Sequence, residues 1–303
     1  MPIAPSAVPS GVRFAPSPTG RFHVGNLRTA WVSERWARGL GESWVVRFED
    51  IDVPRVVAGA RERQLADLAA LGLVPDRVEL QSAWRERHFE LFGRAEREGV
   101  VYACTCSRKE VQDALGGIAA APHGESPIYT GHCRNLPLDH SRRPGAGGVA
   151  WRFRSADESG RHDFIAARTA TLIGDATSFV PAYHWACAID DFDENHRLLV
   201  RAWDLAGSTE IQREIQAWLA LVERRPAVFP AVFHTSLVTR NDGHRLEKRT
   251  EGVTLDELVA AGRAPDVILS LFAASFTEST STLEPARIFG EARRERTLAE
   301  LGF

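Results

Sequence analysis

An α/β fold built on a parallel sheet is predicted by three features of the 303-residue chain. β-rich runs and helically spaced runs alternate through the first hundred residues, the alternation stops in a stretch rich in Cys, Gly and Pro, and it resumes beyond Asp163. Strands alternating with helices at this pace form crossover units on a parallel sheet. The composition, 44% hydrophobic and 25% charged, is that of an ordinary globular protein and excludes wholesale disorder. A net charge of −3 gives no global positive field, so any nucleic-acid contact must rest on a local patch.

Taken in order, residues 1–10 (MPIAPSAVPS) lack the basic start and apolar run of a signal peptide and are expected to form a flexible leader. Val12-Arg13-Phe14 reads as a strand, ended by Pro16 and Pro18, which cannot continue a sheet. Leu27, Ala30, Trp31 and Trp36 lie near helical spacing and predict a helix from Gly25 to Arg38, stopped by Gly39 and Gly41. Ser43–Phe48 is a second strand, ending in the acidic cluster Glu49, Asp50 and Asp52. Helices follow over residues 56–71 and 84–98. In such folds ligands bind beyond the carboxyl ends of the strands, here Pro16–Gly25 and Glu49–Asp52.

Residues 100–162 break the rhythm and read as an insertion with a metal core. A helix at 183–189, a strand at 196–201, a helix at 209–222 and a strand at 231–238 then restore it, and the spacing beyond Thr254 is helical to the end. The expected organisation is thus an α/β body in two halves, 11–99 and 163–250, around the insertion, with a helical region over 251–303. No run reaches the 18 or so apolar residues of a membrane span. Four cysteines are too few for a secreted disulfide scaffold. A cytoplasmic protein is expected, with no membrane and no protein partner implied.

Three segments carry candidate chemistry. In the run from Arg13 to Ala30, a rigid proline turn leads into a helix whose first turn holds His23 and Gly25. A helix N-terminus offers unpaired N–H groups and partial positive charge to a phosphate. Gly25, without a Cβ, would let a flat base lie against the backbone, and His23 could donate to a phosphate oxygen as charge develops. Next, Cys104-Thr105-Cys106 and Cys133 supply three soft ligands for a tetrahedral metal such as zinc, the fourth being Tyr129, His132 or water. Cys187, alone in an apolar segment, is expected to be a packed thiol. Lastly, Asn241–Arg249, read alone, is a basic exposed turn; it holds Lys248, one of only two lysines beside Lys109.

The run PSPTGxxHxGxxRTA over residues 16–30 resembles the HIGH region of class I aminoacyl-tRNA synthetases, in the form used by the glutamate and glutamine enzymes. VVRFEDID over residues 45–52 resembles the RIEDxD segment of that group. Asn241–Arg249 resembles the KMSKS loop, with Lys248 in place of its second lysine, Arg245 in place of the first and Glu247 in place of serine. The C-x-C pair followed by Tyr129-x-Gly131-x-Cys133-Arg134 resembles glutamyl-queuosine tRNA(Asp) synthetases, and that resemblance implies the Tyr129 oxygen as the fourth ligand of a structural Zn²⁺, one per chain.

The resemblance implies a Rossmann-like catalytic domain with a zinc-binding insertion. It places Arg13, Phe14, Ala15, Pro16, Ser17, Glu49, Tyr183 and Arg201 on glutamate-binding positions. His23, Gly25, Asn26, Arg245 and Lys248 fall on ATP-binding positions, with His23, Gly25 and Lys248 catalytic. Arginine forks suit the carboxylates of an acidic amino acid, Glu49 suits its ammonium, and a neutral amide would leave a fork without its counter-charge. The stretch beyond Lys248 is shorter than the roughly 100 residues that an anticodon-reading domain with its own core would need, so none is expected. The implied reaction is tRNA-independent activation of L-glutamate with ATP and Mg²⁺, followed by transfer of glutamate to the queuosine base at the wobble position of tRNA(Asp). The alternatives are a minimal glutamyl-tRNA synthetase charging a tRNA 3′ end, an adenylation-deficient tRNA-binding paralogue, and a ligase acting on a small amine. Arg28, Arg134 and Arg249 are candidate RNA contacts.

Overall fold

The structure, a computed structural model, describes residues 11–107, 109–111, 129–136, 149–169, 178–246 and 253–303. The expected leader lies outside the described residues, as do Glu247, Lys248 and Arg249. Along the chain run β1 (Val12–Phe14), α1 (Val24–Leu40), β2 (Trp44–Phe48), α2 (Ala60–Ala70), β3 (Arg77–Leu80), α3 (Arg85–Arg97) and β4 (Val101–Cys104). Then come β5 (Val149–Phe153), β6 (Phe164–Thr169), β7 (Val180–Pro181), α4 (Tyr183–Glu194), β8 (Leu198–Ala202) and α5 (Ser208–Val222). The chain closes with β9 (Ala231–Thr235), β10 (Leu237–Thr239), α6 (Leu255–Ala260), α7 (Pro265–Ala274), β11 (Ile288–Gly290) and β12 (Glu295–Thr297).

Two compact units emerge. The first takes in the residues up to Gln81, Glu194–Leu205 and Val228–Phe303. Its centre is a six-stranded sheet in the order β11-β9-β8-β1-β2-β3, parallel throughout, as the strand–helix rhythm predicts. Side chains alternate across a strand, and here the two faces differ in kind. Val12, Phe14, Trp44, Val46, Phe48, Leu198, Val200, Ala231 and Phe233 are buried in one apolar cluster with Leu27, Ala30, Trp31 and Trp36 of α1. Trp36 packs its ring 5.4 Å from Phe233 and 5.5 Å from Phe289. The register aligns Arg13 with Val45 and Leu199, Arg47 with Glu79, and Arg201 with His234. These form the opposite face, and Arg13, Arg47, Arg201 and His234 are all buried there. The helix α1 ends where Gly41 turns left-handed, at φ 66°, and its N–H returns to the carbonyls of Ala37 and Arg38.

The second unit takes in Ser82–Asp193 and Ala206–Ala227. It holds a four-stranded antiparallel sheet, β4-β5-β6-β7. An aromatic core fills it: Phe153 stacks on Phe164 at 5.1 Å, and Phe92 lies 5.4 Å from Trp151 and 5.1 Å from Phe179. His88 and Asp190 form a fully buried hydrogen bond of 2.6 Å. Cys187 is buried, as its apolar surroundings predict.

The sequence reading departs from the structure in three places. The strand β3 was not anticipated, since Arg77-Val78-Glu79-Leu80 is short and half charged. The second unit takes in α3, α5 and all but the last residue of α4 beside the antiparallel sheet, so it is larger than an insertion of residues 100–162. Residues beyond 254 are helical only to Ala274; the run Thr277–Thr282 and Pro285 break the pattern, and Ile288–Gly290 then extends the sheet alongside β9. Among the described residues no helix is long and apolar enough to cross a membrane.

Candidate active site and metal centre

The proline turn after β1 is held from several sides. The Glu49 N–H donates to the Pro16 carbonyl (3.0 Å), the Val57 N–H donates to the Pro18 carbonyl (3.0 Å), and the buried Gln64 amide donates to the carbonyls of Ser17 (3.3 Å) and Gly20 (2.7 Å). This fixes Ala15–Ser17 at the carboxyl end of β1. The chain then enters α1 with His23 as its N-cap. The Gly25 N–H donates to His23 Nδ1 (3.1 Å), and the His23 N–H donates to Asn26 Oδ1 (3.2 Å).

A ring nitrogen that accepts from the backbone carries no proton, so the proton of the neutral ring sits on Nε2. Burial, reinforced by the positive charge of Arg245, pushes the His23 pKa down to about 4. His23 is therefore a neutral imidazole with a fixed Nε2–H donor.

Two details differ from the expectation for this helix end. Its first amides are already engaged: Val24 N–H donates to Val253 O (2.8 Å), Gly25 N–H to His23 Nδ1, and the Asn26 and Leu27 N–H groups to His23 O (2.9 and 3.1 Å). A phosphate here would meet side chains and a partial positive charge, with no row of unpaired N–H groups. The absence of a Cβ at Gly25 makes room for protein, too, since a Cβ would stand 3.0 Å from the His23 ring and 3.1 Å from Val238 Cβ. Asn26, expected at the nucleotide, serves the cap of His23.

Lys248 lies outside the described residues, yet both flanks of its segment return to His23. On one side Arg245 is close enough for its charge to bear on the His23 ring, and its guanidinium donates to Asp204 (2.6 Å). On the other, Val253 and Thr254 pair with Val24 and His23. The turn leading into the segment closes through Arg240 N–H to His244 O (2.7 Å) and Gly243 N–H to Arg240 O (3.0 Å).

At the carboxyl ends of the strands, Arg13, Arg201 and Glu49 share the polar face of the sheet, and both arginines are at least 96% buried. Arg47 was not singled out from the sequence. It sits two residues before Glu49 on β2, with Nη2 3.6 Å from Glu49 Oε1 and Nη1 3.5 Å from Glu194 Oε2. His234 was missed as well. It lies beside Arg201 in the register, stacks on Trp203 (centroids 4.9 Å apart, 23° between planes) and donates from Nδ1 to the Phe289 carbonyl (3.3 Å). Burial and then the Arg201 charge push its pKa down to about 4. The remaining member of the expected glutamate set, Tyr183, opens α4 in the second unit, its ring edge-on to His184.

In the second unit the sulfur atoms of Cys104, Cys106 and Cys133 all lie within 4.8 Å of one another. Cys106 Sγ and Cys133 Sγ are 3.4 Å apart, and Tyr129 Oη is 3.3 Å from Cys104 Sγ and 3.7 Å from Cys106 Sγ. Tetrahedral zinc with Zn–S bonds of about 2.3 Å needs sulfurs roughly 3.8 Å apart, so this cage fits the ion. Hydrogen bonds from Cys133 and Tyr129 push the Cys104 thiol down, toward the thiolate form a metal requires, while the same hydrogen bond pushes Cys133 up and burial pushes Cys106 up. His132, the other protein candidate, is exposed and stands apart from the group. Gly131 is required by its φ of 72° and because a Cβ would stand 2.5 Å from the Ser159 carbonyl oxygen. The Arg152 guanidinium lies 3.5 Å over the Tyr129 ring.

Two candidate RNA contacts are structural instead. Arg28 is fully buried and forms a bidentate pair with Glu291, at 2.7 and 2.5 Å. Arg134 is paired with the buried Asp163 and donates to the Ser155 carbonyl (3.2 Å). Arg249 lies outside the described residues.

Residues 11–284 match the family described as tRNA synthetases class I (E and Q), catalytic domain. The chain is 37% identical over 295 residues to the glutamyl-Q tRNA(Asp) synthetase of Nocardia farcinica, covering 91% of this chain and 90% of that one. It is 36% identical over 259 residues to the enzyme of the same name from Burkholderia mallei, covering 80% and 82%. Among solved structures, a glutamate-tRNA synthetase from Elizabethkingia anophelis superposes with a TM-score of 0.67 at 20% identity, over 90% of this chain and 63% of that one. A glutamate tRNA ligase from Elizabethkingia meningosepticum, solved in complex with its amino acid, gives 0.64 at 22%, over 87% and 60%. The chain thus spans less than two thirds of those two structures, and at such identities the likeness concerns the fold.

Proposed function

The chain belongs to the class I tRNA synthetases of the glutamate and glutamine group, and on that premise we propose that it activates L-glutamate with ATP and transfers it to the queuosine base of tRNA(Asp). It is a ligase of the aminoacyl-tRNA synthetase kind. In the first step a glutamate α-carboxylate oxygen attacks the α-phosphorus of ATP, with Mg²⁺ travelling on the nucleotide, and pyrophosphate leaves. In the second, a hydroxyl of the queuosine cyclopentene ring attacks the activated carbonyl, AMP leaves, and the hydroxyl proton passes to phosphate or solvent.

The residues act by holding and by charge. Arg13 and Arg201 receive carboxylates, Glu49 receives the ammonium end, and Phe14, Ala15, Pro16 and Ser17 shape the floor. His23 donates from Nε2 to the phosphate oxygens where negative charge grows, and it needs no protonation step to do so. Arg245 exchanges Asp204 for the triphosphate, and Lys248 neutralises the α-phosphate. Positioning of this kind contributes on the order of 7–11 kcal/mol at best, and preorganised donors add to it. Zn²⁺ held by Cys104, Cys106, Tyr129 and Cys133 supplies folding free energy to the insertion, on the order of 10 kcal/mol for a structural site.

The observation that carries this reading is the convergence on His23: a fixed donor, with both flanks of the Lys248 segment anchored beside it. Glutamate-dependent ATP–pyrophosphate exchange without tRNA tests the first step. It is expected with glutamate, absent with glutamine, and lost in Lys248→Ala while glutamate binding persists. Nuclease mapping of labelled glutamate tests the second; label on the wobble nucleotide of tRNA(Asp) is expected, and label on the 3′-terminal adenosine would refute it.

A further inference from the structure

Resting on the zinc reading above, we propose that Arg152 is a positioning residue of the metal centre. Its guanidinium holds the Tyr129 ring with Oη toward the cysteine sulfurs, and its charge meets the negative charge that three thiolates leave on one Zn²⁺.

Arg152 lies on β5 opposite Tyr102 of β4, and Ala150 lies opposite Cys104, so these four side chains share one face of the antiparallel sheet. On its other edge β5 pairs with β6, and there the register slips by one residue between Trp151 and Arg152. Such an irregularity re-aims the side chain beside it. The guanidinium comes to rest 3.5 Å over the centroid of the Tyr129 ring. Tyr129 is held from two further sides: its backbone N–H donates to the Arg161 carbonyl (2.8 Å), and its Oη accepts from the Cys133 N–H (3.0 Å). Together these contacts leave Oη 3.3 Å from Cys104 Sγ and 3.7 Å from Cys106 Sγ. Arg152 also bears on the Cys104 sulfur, so it serves the Cys104–Tyr129 side of the cage.

Charge explains why this residue is an arginine. Arg152 is only 9% exposed, and among the described residues it has no carboxylate partner; Nη1 donates to the Asp163 carbonyl (3.0 Å). The Asp163 carboxylate is committed elsewhere, to Tyr102 Oη (2.7 Å), to Ser155 (2.9 and 3.0 Å) and to Arg134, which follows Cys133. Lys109 and His132, the other described basic residues of the two ligand segments, are exposed. A buried guanidinium is costly unless an anion meets it, and an aromatic face stabilises a cation stacked on it. Three thiolates around Zn²⁺ are such an anion, and the ring of the fourth ligand is such a face.

The test uses the full chain loaded with zinc. It reads transfer of the metal to a chromogenic chelator, and the visible spectrum of the Co²⁺-substituted protein. Arg152→Met is expected to surrender zinc about tenfold faster or more, as for loss of an outer partner of a metal ligand, and to shift the cobalt bands. Arg152→Lys keeps the charge without the planar stack and should fall between wild type and Arg152→Met. In Tyr129→Phe the ring is no longer a ligand, and there Arg152→Met should add no more than about threefold, the share owed to Cys104. About tenfold acceleration in both backgrounds, as for a residue that merely supports the sheet, would overturn the assignment, and so would no acceleration in either. If Arg152→Met does not fold, Arg152→Lys is compared in the same two backgrounds and judged by whether its acceleration persists in Tyr129→Phe. Wild-type protein that binds no zinc would defeat the parent reading, whereas equal acceleration in the two backgrounds defeats only this one.

Discussion

Replacing Arg28 with Met separates a structural from an RNA-binding role for the most conspicuous buried cation of α1. Arg28 Nη1 and Nη2 donate to Glu291 at 2.7 and 2.5 Å, Nε donates to Ser275 Oγ at 2.9 Å, and Nη2 also donates to the Ser275 carbonyl at 3.1 Å. Both partners of the ion pair are at most 3% exposed. Breaking a buried pair by removing one member costs about 3–5 kcal/mol, because the other charge is left uncompensated. The lower end applies here, since Glu291 keeps the Ser236 N–H (2.6 Å) and has Arg296 4.0 Å away. A loss of about 3 kcal/mol lowers Tm by on the order of 10 °C for a unit of this size, measurable by scanning calorimetry or tryptophan fluorescence.

The deficit should narrow when Glu291→Gln is added, because an amide keeps an acceptor for Ser236 and needs no cation. It should also shrink at acid pH. Arg28 and the Ser236 N–H hold the Glu291 carboxyl below the usual range. Its contribution is therefore present above the unfolded pKa of about 4.5 and is lost as pH falls through the lower folded value. In Arg28→Met that carboxyl takes up a proton more readily, so the variant has less to lose. A variant within about 2 °C of wild type, with unaltered folding and reduced transfer to tRNA alone, would refute the reasoning and return Arg28 to the RNA surface.

Gly25→Ala should lower the exchange rate by about 10- to 100-fold with little loss of fold, because the new Cβ displaces the His23 ring; an active variant would show that the ring position is immaterial. Both His23 and His234 have folded pKa values of about 4, so neither titrates near neutrality in the native state. The unfolded chain binds those protons below about 6.5, so stability should fall as pH drops from 6.5 to 4, and less so in His234→Gln; a slope unchanged by that substitution would exclude the histidine as its source. One zinc per chain is expected by elemental analysis, lost in Cys104→Ser and surrendered faster to a chelator in Tyr129→Phe; a metal-free, fully folded wild type would remove the site.

Local chemistry made the strand–turn–helix and the three-cysteine cluster legible in the sequence. Prolines and glycines punctuate Pro16–Gly25, and sulfur ligands announce themselves by type and spacing. What stayed hidden depends on residues far apart in the chain. The Val24 amide at the start of α1 looks unpaired until Val253 is brought back to it. Arg28 looks like a surface cation until Glu291, 263 residues away, is placed against it. Arg47 reads as one arginine among many until the register sets Glu79 across from it and Glu194 behind it. The strand β11 was hidden for a related reason: pairing with β9 decides its form, and its helical spacing does not.

Hydrocarbon backs the six-stranded sheet on one side, and ionic groups crowd the other. Replacing a whole interred ion pair by apolar residues is frequently neutral or stabilising, whereas removing one member alone is costly. A library of variants selected for heat resistance alone should therefore accumulate coupled changes at Arg47 and its carboxylate neighbours Glu49 and Glu194, while Val12, Phe14, Val46 and Val200 stay fixed. Hardier survivors would be enzymatically silent, and the positions they abandon would chart the working surface without any substrate having been supplied.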